Sequence, residues 1–353
     1  MLFNDPRQLS PKVMTAILRD SGALWERGSV SDVRLRNSEK TDDMMIYHIA
    51  LRYMDVRNIR TAPTMVMLCV TKKGDTRAKN EVKFYETFAP SILKAVVKPE
   101  KTALLTCYDA YYDDDHEQAH LLFNDVSDKF FPSRDGQPPS KLHKERVMDM
   151  LAQHHAFWWA DEKFSDAPYQ VDEAILDNRL ETSKQAYAKF AQYMGRSLND
   201  KQRSLVEKVC TTLPDFRREQ LLSGNQTTLL HGRTRPTDFL YSHNDIRVRR
   251  WQHWRTGIGT DDLAYLIAAH FPFPVRKFEQ KRLLERYFNS LRMNGVKDYT
   301  WDALQRDYSA SVAHTIATLV QDWAETTVTD NQWATGKLAL QTFEDINGMA
   351  IYD

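Results

Sequence analysis

The strongest constraint on the fold is a change of rhythm near Asn124-Asp125. Before it the chain is written in short runs that fit strands: Val30 to Leu35, Met45 to Tyr53, Pro63 to Thr71, Thr102 to Tyr108 and His120 to Phe123. In the second run Ile46, His48, Ala50 and Arg52 alternate with Met45, Tyr47, Ile49, Leu51 and Tyr53, the period of a half-buried strand. The third run contains TMVMLCVT, apolar almost throughout, as a central strand is. A helix precedes them, with Ser10 as N-cap, Pro11 at its first position and Gly22 at its end. A second helix is predicted over Arg77 to Ala89. Asn37 to Asp43 reads as a polar turn, and Asp113-Asp114-Asp115 as an exposed one.

After a Pro/Gly-rich connector, Phe130 to Ser140, the period becomes helical. Helices are predicted over Lys141 to Ala160, Val171 to Met194, Asn199 to Leu222, Asp262 to His270, Val275 to Met293, Trp301 to Ala324 and Asn331 to Asn347. Short strands fall around Leu229-Leu230, Phe239 to Tyr241 and Ile246 to Val248. Strands first and helices second predict an α+β, two-lobed chain. Its parts are a strand-rich lobe over 1–123, a joint over 124–140 and a helical lobe over 141–353. A ligand is expected in the cleft between lobes.

Lys+Arg and Asp+Glu both number 48, so no net charge draws the chain to nucleic acid or to an anionic membrane. No apolar run reaches the roughly 20 residues of a membrane span, and the N-terminus does not read as a signal peptide. Cys69, Cys107 and Cys210 are scattered and odd in number, which suits a reducing, cytoplasmic setting.

The motifs lie in one order along the chain. Glu81 with Val82, Phe84 and Tyr85 forms an EVxFY helix, and Leu121 to Val126 forms an apolar strand ending in Asn124-Asp125. Gln153 to Trp158 follows. Then come His231, Gly232, Pro236, Phe239-Leu240, Trp251-Gln252, Gly257, Gly259 and Asp262-Leu263-Ala264. This series resembles the aminoglycoside phosphotransferase family, and within it the choline-kinase and ecdysteroid-kinase-like branch. The resemblance covers nearly the whole chain and implies a protein-kinase-like fold. In that family the loop reads HGDxHxxN, followed by a hairpin and DWQ or DFQ. Phosphoryl transfer there rests on an acid that positions the attacking hydroxyl, magnesium held by an Asn and an Asp, and a strand Lys paired with a helix Glu.

The chemical positions depart from that pattern. Arg233 stands at the catalytic Asp, Arg235 at the following His, and Asp238 at the metal-binding Asn. Arg250 stands at the second metal Asp, with Arg249 before it where the family is apolar. Cys69 falls at the strand Lys, Asn124 at the acidic joint residue, and no glycine marks the turn over Asn37 to Asp43. Arginine stays protonated and cannot act as a base. The expectation is therefore a kinase-fold protein, related to enzymes that phosphorylate small hydroxyl compounds, that does not itself catalyse. Neither ATP nor magnesium is expected as cofactor, and Asp238 is the only carboxylate left for a metal. ATP and magnesium would return if the family activity persists through a rearranged site using Asp238 or Asp262.

A third reading makes Arg233, Arg235 and Arg250 a metal-independent pocket for an anionic small molecule or nucleotide. Its alternative is neutralisation of the same arginines by Asp238, Asp261 and Asp262. His231 and Asp262 are expected to brace the loop, His154 and His155 to pack, Cys69 to fill a central strand, and Glu81 to lie on an exposed helix face. Nothing in the sequence specifies a protein partner.

Overall fold

A computed structural model describes residues 1–54, 62–95, 102–133, 139–164, 168–194, 197–326 and 333–353. The middle of the expected connector (134–138) and the start of the last expected helix (331–332) lie outside the described residues. The helices are α1 (Pro11–Asp20), α2 (Ala78–Thr87), α3 (Ala89–Ala95), α4 (Lys141–Phe157), α5 (Glu173–Met194), α6 (Asp200–Thr211), α7 (Asp215–Ser223), α8 (Thr260–His270), α9 (Phe273–Met293), α10 (Trp301–Thr326) and α11 (Ala334–Asp345). The strands are β1 (Val30–Lys40), β2 (Met44–Tyr53), β3 (Met65–Thr71), β4 (Cys107–Asp113), β5 (Gln118–Asn124), β6 (Phe131–Pro132), β7 (Thr227–Leu230), β8 (Phe239–Tyr241), β9 (Ile246–Val248) and β10 (Arg255–Ile258). The fold is α+β. Backbone proximity divides it into two compact units: Met1–Pro132 with Asp238–Trp254, and Ser133–Thr237 with Arg255–Asp353.

The first unit is built on an antiparallel sheet in the order β1-β2-β3-β5-β4. Its register pairs Ile46 with Cys69, His48 with Met67 and Ala50 with Met65, which places these residues on one face. The other face carries Ile49, Leu51, Val66, Leu68, Val70 and Leu122, packed with Met14 and Leu18 of α1 into one core. Ser10 caps α1 by accepting from the Val13 amide, as its position in the sequence predicts.

Segment 238–254 is tied to this sheet unit by specific contacts, although the sequence reading placed all of 231–254 in the helical lobe. The Val248 amide donates to the Ala103 carbonyl at 2.7 Å, and β8 pairs with β6. Trp251 stacks on Phe84 of α2, with centroids 3.9 Å apart and planes 6° from parallel. Phe88 meets Trp254 edge-on at 4.7 Å. Such pairs add about 0.5–1.5 kcal/mol each beyond the area they bury. The EVxFY motif thus has a packing reason: Phe84 is the platform for Trp251.

In the second unit α8 is central. Every residue from Thr260 to Ala269 is buried, so this helix is covered on all sides. β7 and β10 form an antiparallel pair that leads the chain into α8.

Three expected elements differ. β1 runs to Lys40 and pairs Ser38, Glu39 and Lys40 with Tyr47, Ile46 and Met45, so the turn shrinks to Thr41–Asp43. A register shift between Leu35 and Asn37 lets the polar half of the strand continue the ladder. The strand expected from Thr102 begins only at Cys107; Leu104 instead makes a lone parallel bridge to Val248. The helix expected over Asn199 to Leu222 is two helices, α6 and α7, because Pro214 has no amide to continue the first. Among the described residues, no helix is long and apolar enough to cross a membrane.

Candidate functional site

In the second unit the loop after β7 is organised by Asp262, in the first turn of α8. Its Oδ2 accepts from the His231 amide and its Oδ1 from the Gly232 amide, both at 2.8 Å. The Thr234 hydroxyl adds a bond at 3.1 Å to Oδ1. His155 Nε2 reaches Oδ2 at 3.2 Å, while the Tyr287 hydroxyl stands 2.8 Å from His155 Nδ1. Donation by Tyr287 to Nδ1 leaves the ring proton on Nε2, directed at Asp262. Burial pushes the Asp262 carboxyl up, but the bonds from His155 and the loop amides outweigh it and hold it below its ordinary range. Gly232 takes φ 96°, a backbone that L side chains rarely adopt. His154, His155 and His231 are all buried.

Arg233 points its Nη1 at Asp322 of α10, 2.7 Å away, with both side chains about a quarter exposed. Burial raises the Asp322 carboxyl, and the charges of Arg233 and then Arg235 oppose that rise. Arg235 therefore lies near the same carboxylate. It also adds to the burial that depresses His270 to about 4.

Asp261 and Asp262 do not neutralise these arginines, contrary to one sequence expectation. Asp261 is taken by Arg217, by Arg255 at 2.8 Å and by the Ser311 hydroxyl at 2.7 Å. Asp262 is taken by the loop itself.

In the first unit Arg250 occupies the left-handed region at φ 66° and ψ 57°, directly before a single 3-10 turn over Trp251–His253. Its Nη2 lies 3.6 Å from Asp43 Oδ2, in the turn between β1 and β2. Asp43 is pushed up by burial, but a bond from the Thr41 hydroxyl and the charge of Arg250 bring it below its usual value. Arg249 is half-buried, and its amide donates to the Asp238 carbonyl at 3.0 Å. Burial and the neighbouring Arg250 both lower the Arg249 guanidinium. Asp238 is itself buried.

Glu81 corrects another expectation. It lies inside the unit at 6% exposure and accepts the Trp251 amide at 3.1 Å. The α2 surface around it is covered by the Trp251–Trp254 segment, which periodicity alone could not foresee. Burial pushes the Glu81 carboxyl up to about 7, partly offset by the amides of Trp251 and Arg250 and by the Arg250 charge. Cys69 is buried on the sheet face that also carries His48, and burial raises its thiol far above the normal range. Next to Asn124, Asp125 holds His48 Nδ1 at 2.6 Å; Asn124 itself donates its amide to Thr106 at 2.8 Å.

The model of the ecdysteroid kinase-like family matches residues 72–297, well over half of the chain, and the chain belongs to that family. Solved structures extend the likeness to most of its length. A choline kinase from Cryptosporidium parvum Iowa II is 11% identical, with 97% of this chain and 98% of that one covered and a TM-score of 0.55. The microcompartment-associated aminopropanol kinase is 13% identical, with 95% and 99% covered and a TM-score of 0.56. A choline/ethanolamine kinase family protein from Mesorhizobium loti is 11% identical, with 90% and 92% covered and a TM-score of 0.50. At such identities the likeness establishes the fold. A search of the curated proteins finds no match.

Sequence reasoning named the arginines but missed the acids that hold them. Asp43 and Asp322 are ordinary turn and helix residues by pattern, and only the tertiary fold brings them to Arg250 and Arg233. Arg179 was detectable. It falls on the α5 stripe of Leu176, Ser183, Ala186 and Phe190, all buried, where a small or apolar residue is expected.

Proposed function

We propose that this member of the ecdysteroid kinase-like family keeps the kinase fold as a binding or regulatory module and does not transfer phosphate. The observation that carries the reading is that both arginines replacing family aspartates are engaged by carboxylates, Arg233 by Asp322 and Arg250 by Asp43. They are integrated ion pairs within their own units, not loose substitutions in an otherwise ready site.

The residues present do not fit magnesium. A cation at Arg250 would repel a divalent ion about 4 Å away by roughly 8 kcal/mol at an effective dielectric of about 20. Magnesium bound with phosphates uses one or two carboxylates, and Asp43, the acid paired with the Arg250 guanidinium, is already committed to it. Cys69 offers no charge to a phosphate, and Glu81, left without the strand Lys, serves the Trp251 amide instead. No step of phosphoryl transfer can be written through these groups.

Melting temperature followed with ATP, in EDTA and in magnesium, tests the proposal. No magnesium-dependent rise is expected. A rise of several degrees with ATP and magnesium together, absent with either alone, would overturn the reading and restore an active small-molecule kinase with a rearranged site.

A further inference from the structure

The second unit carries a cationic cluster apart from the motif positions. Arg217 of α7 and Arg255 of β10 converge on the buried Asp261. Arg255 Nη2 also donates to His314 Nε2 of α10 at 3.0 Å. That bond makes Nε2 the acceptor, so the His314 ring proton sits on Nδ1. Arg179 of α5 stands close enough to sense both Arg255 and Asp261. Two guanidiniums thus share one carboxylate, and that carboxylate is already saturated by Arg217, Arg255 and Ser311.

The donors that remain are the informative part. Arg255 uses Nη2 on Asp261 and His314, which leaves its Nε and Nη1 with no acceptor among the described residues. Arg179 has no ion pair or hydrogen bond among the described residues, although it lies on the buried stripe of α5 that faces its neighbours. Burial, and then the adjacent Arg255, depress its guanidinium to about 10. Arg179 is half-buried with no carboxylate at ion-pair distance among the described residues, so a bound anion would offset the cost of its partial burial.

We propose that Arg179, Arg255 and His314, backed by the Arg217–Asp261 pair, form a binding site for the carboxylate or phosphate group of an anionic small molecule. Guanidinium forks suit planar and tetrahedral oxyanions alike, and charge-assisted bonds to two of them fix the group without a metal. The site has a defined relation to the motif loop. His314, Thr318 and Asp322 fall on one stripe of α10 at successive fourth residues, which spans about 12 Å at the helical rise. Asp322 is the partner of Arg233. A molecule held by its anionic end at Arg179 and Arg255 would therefore lie along α10 toward the position where the family carries its catalytic acid. The site stands whether or not phosphoryl transfer is lost, because its ligand needs neither ATP nor magnesium.

The test is metal-free titration calorimetry of the full chain with citrate and with inorganic phosphate, against sodium chloride at matched ionic strength. Arg179→Gln should fold, should melt no lower than the parent without anion, and should weaken binding at least tenfold. Arg233→Gln should leave affinity within about twofold. Citrate binding without phosphate binding would assign a carboxylate ligand, and the reverse a phosphate; either supports the site. If Arg179→Gln fails to fold, Arg179→Lys replaces it. That variant keeps the charge, loses the fork, and is expected to bind at least threefold more weakly. The proposal fails if neither anion binds beyond the chloride control, if the Arg179 variants bind as the parent does, or if only Arg233→Gln abolishes binding.

Discussion

Arg233 of the loop after β7 and Asp322 of α10 form an ion pair at 2.7 Å. Each half explains the other. A carboxylate at position 233 would face Asp322 as a like charge, while an arginine turns the same proximity into a bond. The prediction is a measurable coupling. Arg233→Asp alone should destabilise the protein, and Arg233→Asp with Asp322→Asn should recover most of the loss. The coupling in a double-mutant cycle should be about 1–2 kcal/mol, between values for exposed and for buried pairs. Urea unfolding of the parent, two single variants and the double variant measures it. Additive losses would mean that the pair contributes nothing.

Glu81 gives a pH dependence with a definite sign. Its carboxyl titrates near 7 in the folded chain against an ordinary 4.5, because burial disfavours the charge. A raised carboxyl pKa means that the folded state holds its proton more tightly than the unfolded state. Stability from this group is therefore full below about 4.5 and falls as pH rises through 7. The loss is at most about 3 kcal/mol from the size of the shift. Glu81→Gln keeps an oxygen for the Trp251 amide and has no proton to lose. Its stability relative to the parent should rise between pH 5 and 8 and then level off, followed by urea midpoint across that range. A constant difference would show that Glu81 does not change its ionisation there.

Much of this was legible from the residues. The switch from period two to helical period separated the strand-rich stretch from the helical one, although it left 238–254 with the helices when that segment joins the sheet unit. What was hidden depended on tertiary neighbours. Nothing in RAKNEVKFYETFA says that Glu81 is covered, because the cover is supplied by Trp251 and Trp254 from far along the chain. Nor does the turn at Thr41–Asp43 announce a partner for Arg250. Charged residues carry no periodic signature when they pair across a fold. Arg179 was the exception, since an arginine on an otherwise buried stripe breaks the pattern where it stands.

Asp262 should be the least replaceable of the acidic residues. It joins the His231 and Gly232 amides, the Thr234 hydroxyl and His155, all of them buried except the partly exposed Gly232. Asp262→Ala leaves the His231 amide and a histidine N–H buried without acceptors. The expected loss is about 3–5 kcal/mol, the range for breaking buried charged networks. Chemical denaturation followed by tryptophan fluorescence measures it. Because the folded carboxyl is held below its ordinary value, its contribution is present above the unfolded pKa and is lost as pH falls through the folded one. The gap between parent and variant should therefore close in acid.

Arg250→Asp places a second carboxylate beside Asp43, where the arginine stood at 3.6 Å. Two like charges about 4 Å apart repel by about 4 kcal/mol at an effective dielectric of about 20. A divalent cation reverses the sign of that interaction. Combined with Arg233→Asp, Asp238→Asn and Cys69→Lys, the change should give a protein that melts below the parent in EDTA and is raised by magnesium with ATP. Asp322→Asn added to the set removes the second clash and should narrow the deficit in EDTA without altering the response to magnesium. A quadruple variant that folds but shows no magnesium-dependent shift would place the metal positions elsewhere in the chain. One that is already stable in EDTA would mean that Arg250 and Asp43 do not depend on each other's charge.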